Sequence, residues 1–277
     1  MTISYEQQNC DSSFFEKAIK LQEDGKFDKA LGYYNKQINL CPDFSEAYIN
    51  RAVCYFNLNQ DSNGNQSFND AISHTKNKAT TLSQIAGFYF SAKLYDTAFN
   101  IYKSILTIDS NYSEAYFKMG RCLWLKRIKI LQENKVQDYA LDTAFMSHLK
   151  AEIMTFYAKA IYLDSIVNNN YYNSLGRNAI ADMNTNYEYY YYRAFVEMNF
   201  AEYTAALTDF EKSIKIHPTI DSYNYAAHLA RKVGQKQKAC EYIQKWATMF
   251  NPSEKIDVFT KHDIADKFCK ELGIFKK

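Results

Sequence analysis

The chain has 277 residues, enough for one large domain or two small ones, and at that size burying a core is no difficulty. Its 33 Lys and Arg against 31 Asp and Glu leave a formal net charge of +2, which excludes a strong global field aimed at nucleic acid or a membrane surface. Only 3 Pro and 8 Gly argue against a turn-rich β-sandwich and for long helices with short connections; the 24 Tyr and 19 Phe accompany many Asn, Lys and Ile, as an AT-rich coding bias would produce, and are read as only partly functional.

Residues 1–10 are polar and lack a basic segment followed by an apolar stretch, so they read as an N-terminal tail rather than a secretory signal. No run of eighteen apolar residues follows, so no membrane span is expected. Cys10, Cys41, Cys54, Cys122, Cys240 and Cys269 are scattered with no CxxC pair, a usage that fits reduced, buried thiols in a cytoplasmic protein.

From residue 11 the chain repeats itself. Phe27-Asp28-Lys29-Ala30 returns as Tyr95-Asp96-Thr97-Ala98, and Ser45-Glu46-Ala47-Tyr48 as Ser113-Glu114-Ala115-Tyr116, both 68 residues on, or two periods of 34. In one register, 11–44 places Phe14, Ala18, Leu21, Ala30, Tyr34, Gln37 and Pro42 where 45–78 has Tyr48, Ala52, Tyr55, Gly64, Phe68, Ala71 and Lys76. Residues 79–112 follow with Leu82, Ala86, Tyr89, Ala98, Tyr102, Ile105 and Ser110. Gly25, Asn59 and the region of Lys93 mark where first helices end and turn. Ser45 and Ser113, each followed by Glu, read as N-caps.

A fourth unit, 113–165, opens with Tyr116, Gly120 and Leu123 but does not turn; apolar periodicity runs on through Trp124, Leu125, Ile128 and Leu131. Its second helix is recovered at Ile153, Tyr157 and Ala160, which makes an elongated hairpin. The segment 166–186, with Asn168-Asn169-Asn170-Tyr171-Tyr172 and Gly176, reads as an irregular insert, a loop or a short extra helix. Two further units occupy 187–252, one through Tyr190, Ala194, Ala206, Phe210, Ser213 and Pro218, the other, weaker, through Ala227, Gly234, Ala239, Trp246 and Pro252. In 253–277, Val258, Phe259, Ile264, Phe268 and Leu272 stand among Lys and Asp as in a polar-backed capping helix.

This pattern of small and bulky positions on a period of 34 resembles the tetratricopeptide-repeat (TPR) family. The resemblance implies an all-α fold: a right-handed α-α superhelical solenoid of about six helix hairpins with a C-terminal capping helix. It further implies a non-catalytic protein–protein interaction module, an adaptor, scaffold or chaperone-like protein. By the family's geometry, four positions of each first helix look into the concave groove. They assign Phe15, Ile19, Ile49, Val53, Phe56, Phe90, Phe117, Arg121, Trp124, Tyr191, Phe195 and Tyr225 to that groove. So apolar a groove suits a peptide or helix with large apolar side chains; plain core packing and filling by the chain's own C-terminal helix are the competing readings.

One TPR subclass grips the C-terminal carboxylate of heat-shock chaperones with five polar residues. Here Phe15 and Ile19 stand where Lys and Asn are needed, Asn50 matches, and Thr80 and Gln84 stand where Lys and Arg are needed, so no chaperone tail is expected. Lys118, Arg121, Lys126, Arg127 and Lys129 form the densest basic stretch, and RNA binding through that long hairpin is the alternative reading. Their spacing spreads them around a helix, however, and argues for a solvated face and against nucleic acid. Self-association through the edges of the stack is a further possibility. His74, His148, His217, His228 and His262 show no metal-ligand spacing, and neither a Gly-rich phosphate loop nor a nucleophile elbow occurs. No cofactor and no enzymatic activity are expected.

Overall fold

A computed structural model describes residues 11–134, 143–174, 186–249 and 258–274. Among them are thirteen helices: α1 (Ser13–Glu23), α2 (Phe27–Leu40), α3 (Ser45–Asn57), α4 (Asp61–His74), α5 (Lys78–Ser91), α6 (Tyr95–Ile108), α7 (Ser113–Asn134), α8 (Thr143–Ser174), α9 (Tyr187–Asn199), α10 (Tyr203–Ile216), α11 (Ile220–Lys232), α12 (Lys236–Thr248) and α13 (Val258–Glu271). Consecutive helices pack in pairs, α1 with α2 through to α11 with α12, and α13 packs on α12. The fold is an all-α helical repeat. The chain divides into two compact units, residues 1–111 and 112–277.

One turn is used again and again. Gly25, Asn59 and Lys93, 34 residues apart, take φ of +73°, +57° and +58°, and Ala201 and Gly234 do the same at +60° and +82°. In each, the N–H one residue later reaches back five residues to the helix carbonyl: Lys26 to Leu21 at 2.8 Å, Gln60 to Tyr55 at 2.9 Å, Leu94 to Tyr89 at 2.9 Å, Glu202 to Glu197 at 2.9 Å and Gln235 to Ala230 at 2.8 Å. These left-handed caps satisfy carbonyls the helix end leaves open. At Ala201 the Cβ makes that conformation costly. Ala201→Gly is therefore expected to stabilise unit 2 by about 1 kcal/mol, read as a higher midpoint in thermal denaturation; an unchanged or lower midpoint would show that the turn is not strained.

Seven residues before each turn stands an alanine with no exposed surface: Ala18, Ala52, Ala86, Ala194 and Ala227. Each lets the second helix approach closely, and opposite it Ala30, Ala98, Ala206 and Ala239 are equally buried. The large rings Tyr34, Phe68, Tyr102, Tyr157 and Phe210 fill the space beside them. In the long hairpin the fully buried Ile153 takes the small position on α8, and Gly120 stands where the other first helices carry alanine. A Cβ on Gly120 would lie 2.8 Å from the ring of Tyr157, which is itself fully buried.

Three expectations need correction. Ser45 and Ser113 are the first residues of α3 and α7 rather than N-caps; the side chains that do cap are Asn77, Asn186 and Thr219, which accept from the N–H groups of Thr80, Glu188 and Ser222. The segment 166–174 is neither loop nor separate element, because α8 continues unbroken to Ser174; 175–185 lies outside the described residues. The cysteines are not all thiols. Cys240 of α12 and Cys269 of α13 form a disulfide, and Cys41 is disulfide-bonded as well. Cys54 and Cys122 are buried and lie outside any disulfide. Spacing along the chain could not show the 240–269 pair, because it needs α13 laid on α12.

Candidate binding surface on the first helices

Why the candidate residues fall into two sets follows from the depth at which each repeat buries its first helix. Ile49, Phe117 and Trp124 are core: they are 8%, 1% and 5% exposed. Phe117 is enclosed by the rings of Tyr157, Tyr189 and Tyr192 at 5.8, 4.7 and 5.7 Å. Phe15, Ile19, Val53, Phe56 and Phe90 in unit 1, and Arg121, Tyr191, Phe195 and Tyr225 in unit 2, keep part of their surface open.

In unit 1, Phe15 meets Phe44 edge-on at 4.8 Å, and Phe56 stacks on Phe88 at 4.9 Å. Ile19, Phe15 and Phe56 pack against the core built on Ala18, Tyr34 and Ala52, whereas Val53 and Phe90 are not among the side chains of that cluster. In unit 2, Tyr191, Phe195 and Tyr225 form a ladder, with Phe195 edge-on to Tyr225 at 5.2 Å and Tyr191 edge-on to Phe210 at 5.5 Å. Edge-to-face contacts fix these rings at little further entropic loss on binding. Burial pushes the phenol of Tyr191 upward, so it stays neutral.

Two arginines of the basic stretch lie over aromatic rings of the fold. Arg121 lies 3.8 Å over the ring of Tyr192, and Arg127, itself buried, lies 4.8 Å over Trp124. Lys118 lies 5.7 Å from the Phe117 ring, and Lys129 pairs with Glu133 at 3.8 Å. These four cations lie over aromatic faces or beside a carboxylate. Asn50, the one residue matching the chaperone-tail clamp, donates its amide to the Glu46 carbonyl at 2.9 Å.

Sequence reading missed a polar cluster in unit 2. Arg193 of α9 forks onto Asp209 of α10, with Nη2 at 2.8 Å from Oδ1 and Nε on Oδ2. Glu197, one turn on, is 6% exposed, and its Oε2 has no hydrogen-bond partner. Burial first, then the neighbouring Asp209, pushes its carboxyl up to about 7. The signal was available: Glu197 stands at the repeat position that holds Leu21, Tyr55, Tyr89 and Leu123 elsewhere. In unit 1, Arg51 spans the same sixteen residues to Ser67, at 2.7 Å, and also reaches Asp70.

No cluster of His, Cys, Asp and Glu among the described residues is arranged to hold a metal, and no helix among them is long and apolar enough to cross a membrane. No protein-family model matches the chain, and no curated protein matches it by sequence. Solved structures do. PilF of Pseudomonas aeruginosa superposes with a TM-score of 0.53 at 12% identity, over 91% of this chain and 96% of that one. The C-terminal part of a TPR repeat-containing protein of Cytophaga hutchinsonii gives 0.51 at 16%, over 93% and 95%. A thermophilic TPR protein of Thermus thermophilus gives 0.50 at 12%, over 80% and 98%.

Proposed function

We propose that this chain, which has the fold of the tetratricopeptide-repeat proteins, is a non-catalytic interaction module whose first helices hold an apolar segment of another polypeptide. The observation that carries this reading is the row of part-exposed apolar side chains on α1, α3 and α5, namely Phe15, Ile19, Val53, Phe56 and Phe90. A second such set, Tyr191, Phe195 and Tyr225, stands on α9 and α11. Aromatic anchors held rigid by their neighbours are the side chains that concentrate binding energy at interfaces. An adaptor or scaffold role follows from this reading. The disulfides favour a compartment in which thiols oxidise over the cytoplasm.

Trp124, being core, is the wrong place to test the idea. Val53→Asp combined with Phe90→Asp puts two charges on the unit 1 surface while sparing the Ala18–Ala52 core. In a pull-down from source cells read by mass spectrometry, the doubly substituted chain is expected to lose the partner that the parent recovers, with its helical circular dichroism unchanged. Full recovery by a folded double variant would remove the unit 1 surface from the account.

A further inference from the structure

Helix α9 stands between two cores. Val196 is fully buried among Phe117 and Trp124 of α7 and Ile153 and Tyr157 of α8, and Phe200 packs on the same cluster. Ala194 and Met198 belong instead to the core shared with α10, α11 and α12. At about 100° per residue, Glu197 falls between these two rows of the helix. It is 6% exposed, at the place that holds Leu21, Tyr55, Tyr89 and Leu123 in other repeats. A carboxyl therefore occupies the seam where the other repeats put an apolar or phenolic side chain.

The groups around it leave the carboxyl poorly served. Its Oε2 has no hydrogen-bond partner. Arg193, one turn back on α9, is committed to Asp209 of α10 through both Nε and Nη2. Lys150 of α8 pairs with Glu202, just beyond the turn that closes α9. From α7, Arg127 lies buried over the rings of Trp124 and Phe200. The two cations that face Glu197, Arg193 and Lys150, thus each have another carboxylate to hold. An ionised Glu197 would sit without water and beside the like charges of Asp209 and Glu202. The seam itself is lightly fastened: α9 packs far less extensively on α8 than on α10, and the Lys150–Glu202 pair across it is partly exposed.

We propose that Glu197 makes the seam between the α7–α8 hairpin and the α9–α10 hairpin a proton-controlled joint, closed while the carboxyl carries its proton and opened to water when the proton leaves. The proton passes to solvent, and the carboxylate gains the water that the closed seam denies it. The sign follows from linkage. An open seam releases the proton at the ordinary 4.5, whereas the closed seam, through burial and then Asp209, holds it up to about 7. A rise in pH across that interval therefore favours opening. The joint is separate from the first-helix surface of the proposed function, and either can fail alone.

The test follows amide hydrogen exchange in the full chain at pH 5 and pH 8, with rates corrected for the pH dependence of free amides. At pH 8 the amides from Val196 to Glu202, and those around Lys150, are expected to exchange ahead of those of α12 by about tenfold or more. At pH 5 that lead is expected to be lost. Glu197→Gln keeps the shape without the charge, and Glu197→Leu restores the residue type of Leu21 and Leu123. Both variants are expected to keep the seam protected at pH 8. Because they retain every histidine, a transition that belongs to another group would survive in them. Seam and α12 amides that exchange together in the parent at pH 8, or a lead that persists in both variants, overturns the proposal.

Discussion

A Glu197→Gln chain is expected to resist unfolding at pH 8 by about 3 kcal/mol more than the parent, and to match it at pH 4. The carboxyl is buried on α9 with Oε2 unpartnered. It faces Arg193 on its own helix, Asp209 from α10, Glu202 just beyond the turn and Lys150 from α8, which is itself paired with Glu202. Burial and the two carboxylates outweigh the two cations and raise it from its ordinary 4.5 to about 7. The folded state therefore holds a proton between those values that the unfolded chain releases. Its stabilising share is complete below about pH 4.5 and is lost as pH rises through 7. The difference of about 2.5 units, at 1.36 kcal/mol each, gives the magnitude. Glutamine keeps the shape without the charge, so urea unfolding followed across pH should show a flatter profile. Identical profiles for the two chains would refute this account of Glu197.

Arg193→Met is expected to lower stability at pH 7 by about 3–5 kcal/mol, because it leaves a buried carboxylate without its cation. The Asp209 side chain is 4% exposed and takes both ends of the Arg193 fork. Arg51→Met is the control at the same place in the unit 1 repeat, and there the loss should be about 1 kcal/mol. Arg51 meets the neutral hydroxyl of Ser67, and the Asp70 side chain it also reaches is 27% exposed, so water can take over the charge. Denaturant midpoints for the two single variants decide the matter. Equal losses would mean that burial of Asp209 adds nothing, and the ion pair in unit 2 would then be no more than a surface one.

The two positions show how far a repeat can be read from its spacing. Alanine seven residues before the turn, a large ring on the second helix and a turn residue every 34 positions are all local requirements. The alanine and the ring appear in the sequence as residue types at fixed places, which makes the hairpins legible there, and so does the turn at Gly25, Asn59 and Gly234, though not at Lys93 or Ala201. The long fourth hairpin was legible for the same reason, as a missing turn. Its end was not: the asparagine and tyrosine run at 168–172 has the composition of a loop, yet α8 carries through it to Ser174.

The candidate surface was legible only in part. Position within the first helix assigned twelve residues to one surface, of which Ile49, Phe117 and Trp124 are covered by neighbouring helices, and such depth depends on partners distant in the chain. Ionic and redox chemistry lay further from reach. Glu197 departs from its repeat in plain view, but its charge state is set by burial and by Asp209, twelve residues on and on another helix. Cys240 and Cys269 are 29 residues apart, and nothing in their spacing joins them; packing α13 onto α12 does. The sequence by itself determined the period, the helices and the small residues that let them touch, since those are properties of single positions. Only the tertiary structure decided which apolar rings stay open, which carboxyl is caught without water and which thiols meet, because each of those depends on what several separate helices bring to one place.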